Sequence, residues 1–186
     1  MELTRFLEKY QPTLTEIASE ALVNQYAHIL PSSMIELWRT KGLGKYNDGL
    51  IEIVNPEDFQ ADLERTLGRQ SSNYVPVAIS GFGELFYYRK LTATDEDVCL
   101  FDPHYKQIET IIWSLSDFFN GYLCDDDIIE DVLRHELFKA SLKKLGKLKK
   151  NEIFFFVPAL ALGGGEGIEY VQKGNCQVHL SILFQV

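Results

Sequence analysis

The middle of the sequence contains short segments that are rich in β-branched and aromatic residues and are separated by turn signals. They are Tyr74–Ile79, Leu85–Arg89, Val98–Phe101 and Ile108–Trp113. Segments of this kind predict strands, and Gly81-Phe82-Gly83 predicts a hairpin between the first two. An earlier strand is predicted over Leu50–Val54, after the turn signal Asn47-Asp48-Gly49. Because short turns join antiparallel neighbours, we expect a largely antiparallel sheet at the centre of the fold.

Helical patterns come before these strands. Thr13-Leu14-Thr15-Glu16 fits a capping box, and apolar residues at helical spacing follow it as far as Pro31. We therefore predict a first helix over this stretch. A second helix is predicted over residues 32–42. A third is predicted over residues 55–68, where Asn55-Pro56 supplies an N-cap and a proline at the first helical position.

Helices and a pair of strands are predicted after the sheet. Ser114 or Ser116 should cap a short helix, and residues 125–145 should form a longer one that begins with three aspartates. A strand over Ile153–Val157 follows. A closing strand is predicted over residues 177–184, where apolar and polar residues alternate. The fold class is therefore α+β: N-terminal helices, a central largely antiparallel sheet, C-terminal helices and a closing strand pair.

The excess negative charge is confined to one segment. The chain has a net charge of −9, and residues 95–136 contain 12 acidic and 2 basic residues, a balance of −10. Such a segment repels nucleic acid and anionic membranes and attracts a basic partner. At a helix start, Asp125–Asp127 also meet the positive end of the helix dipole. On charge alone, a solvated surface and a docking face for a basic protein both remain open.

The glycine-rich stretch Gly163-Gly164-Gly165-Glu166-Gly167 does not fit a phosphate-binding loop. A Walker loop needs lysine and then serine or threonine after its last glycine, but Ile168 and Glu169 follow here. A dinucleotide-binding loop needs a helix that begins at the last glycine, and these residues have no helix-start chemistry. We predict a turn with positive φ and no nucleotide cofactor.

The histidines and cysteines indicate neither a metal site nor a disulfide framework. They are His28, His104, His135 and His179, without metal-ligand spacing, and Cys99, Cys124 and Cys176, which are odd in number. On the predicted closing strand, His179 lies on the polar face and is interpreted as a surface histidine. Asp125 should disfavour the thiolate of Cys124, so this cysteine is not predicted to be a nucleophile. Reduced thiols are typical of the cytoplasm, and the apolar segments are too short to span a bilayer.

Several short motifs resemble those of a known pair of domains. One group follows the pattern of GAD-like domains: Leu30-Pro31, Glu36-Leu37-Trp38, Gly42-Leu43-Gly44, Asp48-Gly49, Val54-Asn55-Pro56, Phe59 and Gly81–Phe86. A second group resembles the C-terminal domain that commonly accompanies it: Leu137-Phe138, Leu145-Gly146, Asn151-Glu152-Ile153 and Val157–Gly164. The resemblance implies a GAD-like domain over residues 1–123 and an immunity-protein C-terminal domain over residues 124–186, packed together as one unit.

This pairing is typical of immunity proteins against type VI secretion DNase effectors. It implies a cytoplasmic protein that binds a toxic nuclease domain and blocks its active or substrate-binding surface, without catalysis or a cofactor of its own. A nuclease site is usually basic because it holds phosphates. We therefore hypothesise that acidic residues form part of the contact: Asp95, Glu96, Asp97, Asp125, Asp126, Asp127, Glu130 and Asp131.

An alternative function is that of a nucleic-acid or translation-associated binding module. The GAD name comes from an insertion domain of tRNA-handling enzymes, and six lysines lie between Lys139 and Lys150. These lysines lack the interleaved aromatic and arginine residues of specific nucleic-acid sites. A solvated helix end is therefore the better interpretation of this stretch.

Overall fold

A computed structural model describes residues 2–183. Within this range the chain forms eight α-helices and nine β-strands. The helices are α1 (Thr4–Lys9), α2 (Glu20–Tyr26), α3 (Ser32–Thr40), α4 (Gln60–Leu67), α5 (Leu115–Asn120), α6 (Asp126–Asp131), α7 (His135–Leu145) and α8 (Cys176–Leu183). The strands are β1 (Pro12–Glu16), β2 (Leu43–Tyr46), β3 (Ile51–Ile53), β4 (Tyr74–Ser80), β5 (Leu85–Lys90), β6 (Glu96–Asp102), β7 (Gln107–Ile112), β8 (Glu152–Phe156) and β9 (Val171–Asn175).

A large sheet contains β1 to β7 in chain order, and every neighbouring pair is antiparallel. The turn Gly81-Phe82-Gly83 joins β4 to β5, as the sequence predicts. A small sheet pairs β8 with β9, also antiparallel. The predicted α+β class with a central antiparallel sheet is confirmed. No helix among residues 2–183 combines the length and the apolar character needed to cross a membrane.

Apolar side chains pack on both faces of the large sheet. Along β5, Phe86 and Tyr88 belong to one cluster, and Leu85 and Tyr87 belong to another. This alternation follows from the two-residue period of a strand. The larger cluster includes side chains of α1 to α3, of α5 and of Phe138 on α7, whereas α4 and α8 contribute to the smaller one. The C-terminal segment therefore shares its core with the sheet.

The first predicted helix is wrong at its start. Residues 13–16 belong to β1, and the Thr13 hydroxyl donates to the carbonyl of Lys45 (3.0 Å) and accepts from the backbone N–H of Asp48 (3.1 Å). These contacts to β2 and the following turn replace the predicted capping box. The helix begins later as α2, where the Ser19 hydroxyl accepts from the N–H of Leu22 (3.2 Å). The predicted helices over residues 32–42 and 55–68 contain α3 and α4.

The long helix predicted over residues 125–145 is interrupted. It is divided into α6 and α7 by residues 132–134, and Arg134 has a left-handed backbone with φ of 51°. This conformation is unfavourable for a residue with a Cβ atom. The side chain of Arg134 contacts a buried carboxylate, described below, at this break. The predicted end near Leu145 is confirmed, with Gly146 at φ of 79°.

The closing strand predicted over residues 177–184 is also wrong. Residues 176–183 form α8, and the strand that pairs with β8 is β9. On this helix Cys176, His179, Leu180 and Leu183 are buried. This spacing of three and four residues is that of a helix face, which the alternation of apolar residues concealed. Phe184, the last residue of the predicted strand, lies outside the described residues.

Candidate partner-binding surface

The three aspartates at the start of α6 have different local roles. The Asp125 carboxylate accepts from the backbone N–H groups of Asp127 (3.0 Å) and Ile128 (3.3 Å), so it is the N-cap of the helix. Asp126 is exposed and is bound by the Lys9 ammonium group at 2.7 Å, a contact that lowers the pKa of the Asp126 carboxyl. Asp127 is exposed and continues the first turn.

One face of α6 presents carboxylates that form no salt bridge with a described residue. Asp127, Glu130 and Asp131 are exposed and are spaced by three and four residues, which places them on the same side of the helix. Glu130 accepts from the backbone N–H of Glu136 (3.2 Å). Among residues 2–183, no Lys, Arg or His side chain forms a salt bridge with these three carboxylates. We call Asp127, Glu130 and Asp131 the acidic face.

The acidic residues near the β5–β6 hairpin are mostly engaged inside the fold. Asp95 is exposed in the loop and accepts from the Thr92 hydroxyl (2.7 Å). Glu96 accepts from the Tyr88 hydroxyl (2.8 Å) and from the backbone N–H at the start of α5 (3.0 Å). Asp97 is buried and accepts two hydrogen bonds from Arg89, at 2.7 and 2.6 Å. We therefore exclude Glu96 and Asp97 from the candidate surface.

The two predicted acidic groups are also separated by an intervening element. Glu96 contacts the beginning of α5, whereas Asp125 begins α6 only after α5 and a following 3-10 turn have ended. The structure therefore divides the eight predicted contact residues between the hairpin and α6.

The glycine-rich stretch forms a turn, as the sequence predicts. A 3-10 turn over Leu160–Leu162 ends at Gly163, which has φ of 84°. Gly164 approaches the chain so closely that a Cβ atom there would lie 1.9 Å from the carbonyl oxygen of Pro158. These glycines serve a tight backbone path.

A buried ion pair connects this turn to the sheet. Glu84, at the start of the β5 side of the hairpin, is buried and contacts both the Arg134 guanidinium and the Ser80 hydroxyl. Arg134 also reaches Glu166 of the glycine-rich stretch at 3.4 Å. Glu166 in turn accepts from the Tyr105 hydroxyl (2.7 Å), a contact that helps to lower the pKa of the Glu166 carboxyl. These contacts join the turn, α7 and two hairpins of the large sheet.

Sequence reasoning did not find this ion pair. Its partners are 50 positions apart, and Glu84 lies in a motif that is assigned only to a predicted hairpin and to the family resemblance. One signal was present: Arg134 is one of only two basic residues among the 12 acidic residues of the segment 95–136. A single arginine among so many acidic residues is expected to pair with a carboxylate.

A second carboxyl near this pair does not make it a catalytic dyad. Burial, with the nearby Glu84, raises the pKa of Asp102. Asp102 accepts from the backbone N–H groups of His104 (2.8 Å) and Tyr105 (3.2 Å), so its oxygen caps the β6–β7 turn. Glu84 is bound on both oxygens and is 1% exposed, so water and substrate have no access to it.

The prediction of a surface position for His179 is wrong. His179 is buried on α8 and its ring stacks on Phe155 with a centroid distance of 3.9 Å. Burial, with a smaller contribution from nearby His104, lowers the pKa of His179 to about 4. The imidazole is therefore neutral near neutral pH and serves as an apolar packing surface.

Among the described residues, the three cysteines and His135 are not arranged as a nucleophilic or metal-binding site. The three cysteines are buried, and burial raises the pKa of each thiol, that of Cys176 to about 12. His135 is less isolated than its sequence context indicates, because its ligand atom and those of Glu130 and Glu136 lie within 4.8 Å of one another. Glu136 is held by Lys139 at 2.5 Å, so internal contacts account for this group.

A cleft of about 360 Å³ lies between the N-terminal strands and the C-terminal segment. Lys45 is buried beside it and contacts Glu52 and the carbonyl oxygen of Glu152 (2.9 Å). At the rim, the Lys150 ammonium group binds Glu16 at 2.9 Å. Both ends of the chain contribute to these contacts, and each charged group in them has an internal partner. We therefore interpret the cleft as a junction between the N-terminal strands and the C-terminal segment.

Comparison with known proteins finds two family models that match the chain. The model of the GAD-like domain matches residues 2–99, and the model described as T6SS immunity protein Tdi1, C-terminal, matches residues 114–186. The resemblance drawn from the motifs is therefore confirmed. The division between residues 123 and 124 stays a prediction. Among curated proteins, none is similar enough to count as a match.

A solved structure shares the fold. Atu4351 from Agrobacterium tumefaciens is 19% identical to this chain and superimposes with a TM-score of 0.74. The match covers 98% of this chain and 88% of that one. At this level of identity the similarity concerns the architecture alone.

Proposed function

Because the chain belongs to the GAD-like domain family and carries the C-terminal domain of a type VI secretion immunity protein, we propose that it binds and neutralises a cognate toxin. The toxin that we propose is a DNase effector with a basic nuclease domain. The immunity protein acts by covering the active or DNA-binding surface of that domain. It transforms no substrate itself, and it carries out this task in the cytoplasm, where its buried thiols remain reduced.

The acidic face carries this proposal. Asp127, Glu130 and Asp131 place three carboxylates on one side of α6 without a neutralising side chain in the described part of the chain. A DNA-binding surface is lined by Lys and Arg side chains that hold phosphates. Exposed carboxylates compete with phosphates for the same cations, and opposite potentials increase the rate of association.

The lysines of residues 139–150 do not support the alternative of a nucleic-acid-binding module. Four of these six lysines have internal partners. Lys139 binds Glu136, Lys144 binds the carbonyl of Ile168, Lys147 binds Asp48, and Lys150 binds Glu16. The ammonium groups of Lys144, Lys147 and Lys150 tie α7 and the following loop to other parts of the chain.

The proposal is tested by measuring how salt affects the affinity for the toxin domain. The test variant combines Asp127→Asn, Glu130→Gln and Asp131→Asn. The control combines Glu36→Gln on α3, Glu57→Gln in the turn before α4 and Glu64→Gln on α4. Both variants lose three charges. We expect the test variant to bind more weakly and with a shallower dependence on salt, because it forms fewer screened charge pairs. Equal losses in both variants would show that the contact lies elsewhere.

A further inference from the structure

Four exposed apolar side chains surround the glycine-rich turn. Val157 is 51% exposed, Leu162 is 62% exposed, Tyr170 is 38% exposed and Tyr105 is 53% exposed. Single exposed apolar residues are normal on protein surfaces, but a group of them marks a candidate interaction site. We call Tyr105, Val157, Leu162 and Tyr170 the loop patch.

Hydrogen bonds and close approaches show that these residues are neighbours. The backbone N–H of Val157 donates to the carbonyl of Tyr170 (2.8 Å). A Cβ atom at Gly165 would lie 2.6 Å from the ring of Tyr170, so this ring lies directly against the turn. Tyr105 reaches the same turn from the β6–β7 hairpin through its hydroxyl bond to Glu166. Leu162 is held in the turn by a bond from its N–H to the carbonyl of Ala159 (2.9 Å).

The backbone of the glycine-rich turn is held by hydrogen bonds. The backbone N–H of Gly164 donates to the carbonyl of Ala159 (3.1 Å), which closes the turn. Glu166 is bound by both Tyr105 and Arg134, and Arg134 is anchored on buried Glu84. A surface that is already ordered loses less conformational entropy when a partner binds. Binding through this turn therefore loses little backbone conformational entropy.

The acidic face is connected to this region through Arg134. Asp131 ends α6, and Arg134, three residues later, extends its side chain to Glu166 beside the loop patch. An apolar centre that contains tyrosines, with a charged rim, is the usual composition of a protein–protein interface. We propose that the loop patch is the apolar anchor of the toxin contact and receives an apolar segment from the basic surface of the toxin domain. This proposal rests on the proposed function.

The charge of the rim favours a basic partner over a second copy of this chain. A two-fold contact through the loop patch would bring together two copies that each carry a net charge of −9. Like charges in an interface disfavour association. A basic toxin domain would instead complement the rim and cover the apolar centre.

The experiment uses the proposed cognate nuclease domain, carrying a substitution that abolishes DNA cleavage. Its dissociation constant is measured for the parent chain, for Leu162→Ser and for Tyr170→Ser, at low and high salt. The matched control is Trp113→Ser, because Trp113 is 73% exposed and lies at the opposite end of β7 from Tyr105. We expect each loop variant to weaken binding about tenfold or more with an unchanged salt dependence, and the control to bind like the parent.

The outcomes separate this proposal from the proposed function. If the parent binds and both loop variants bind equally well, the loop patch is not the anchor, although the immunity function stands. If the parent itself does not bind, the proposed function fails first. Sedimentation of the parent alone tests whether a second copy of the chain occupies the loop patch. A dimer that Leu162→Ser converts to a monomer would overturn the proposal. Leu162→Ser removes an exposed side chain, so a thermal melt should match the parent and exclude misfolding.

Discussion

The molecule contains two charged regions that behave in opposite ways. Around Glu84 and Arg134, opposite charges are buried, paired and joined to the glycine-rich turn. On the acidic face, like charges are exposed and unpaired by any described residue. The first region fixes the position of the C-terminal segment on the sheet, and the second leaves its electrostatic potential available to a partner. The paired charges that hold the fold together cancel in the net charge, so the excess negative charge marks the surface that we propose for the partner.

The largest expected effect comes from breaking the buried pair. Arg134→Met leaves Glu84 buried without its cation, and we expect the free energy of unfolding to fall by about 3–5 kcal/mol. Urea denaturation measures the loss. In the double variant Glu84→Met with Arg134→Met, both charges are absent, so much of the stability should return. If Arg134→Met alone unfolds like the parent, the buried pair does not hold the two segments together.

A buried histidine extends the comparison to the effect of pH on stability. His179 is protonated only near pH 4 when folded, but near pH 6.5 when unfolded, so the unfolded state binds more protons between these values. Its contribution to stability is therefore fully present above about pH 6.5 and declines as the pH falls toward 4, by up to about 3 kcal/mol.

The check is the pH dependence of the free energy of unfolding between pH 7 and 4. His179→Phe should flatten the decline, because phenylalanine keeps the stacking on Phe155 and cannot take up a proton. His28→Gln, at an exposed position, is the control and should follow the parent. Parallel curves for the parent and His179→Phe would show that this histidine does not limit stability in acid.

Within α6, one aspartate should differ from the others. Asp125→Ala removes the N-cap that accepts from two backbone N–H groups, and we expect a loss of about 1 kcal/mol in the free energy of unfolding. Asp125→Ser restores a capping oxygen without the charge and should recover most of the loss. A loss in both variants of equal size would assign the effect to charge instead of capping.

The smallest expected effect concerns the exposed pair of Lys9 and Asp126. Asp126→Asn should leave the unfolding midpoint unchanged, because an exposed ion pair contributes little. The buried counterpart is Asp97→Asn, which leaves Arg89 with a neutral partner and should lower the midpoint clearly. Similar shifts in both variants would contradict the contrast between buried and exposed charges.

The central sheet could be predicted because its signals are local. Residues 74–113 carry strand segments and turn signals close together, and the structure places β4 to β7 there in chain order. Thr13–Glu16 and residues 177–183 could not be assigned correctly, since each fits both a strand and a helix pattern over so short a length. Pairing with β2 decides the first, and packing against Phe155 and the smaller core cluster decides the second.

The candidate surface was predictable only in part. The charge count located the acidic face, but it also included Asp97, whose carboxylate is buried against Arg89. Buried ion pairs of this kind cannot be recognised from the sequence, because burial depends on which strands become neighbours. The loop patch was hidden for a related reason: Tyr105 and Tyr170 are 65 positions apart, and only the folded chain brings both to the glycine-rich turn.

Inhibition of the toxin domain by this chain is the most direct test of the immunity function. Cleavage of DNA by the active form of the proposed cognate nuclease domain is followed while the purified chain is added in increasing amounts. We expect cleavage to stop at about one equivalent, and to resume when the acidic face is neutralised at moderate salt. Undiminished cleavage in the presence of a large molar excess of the parent chain would contradict the proposed function.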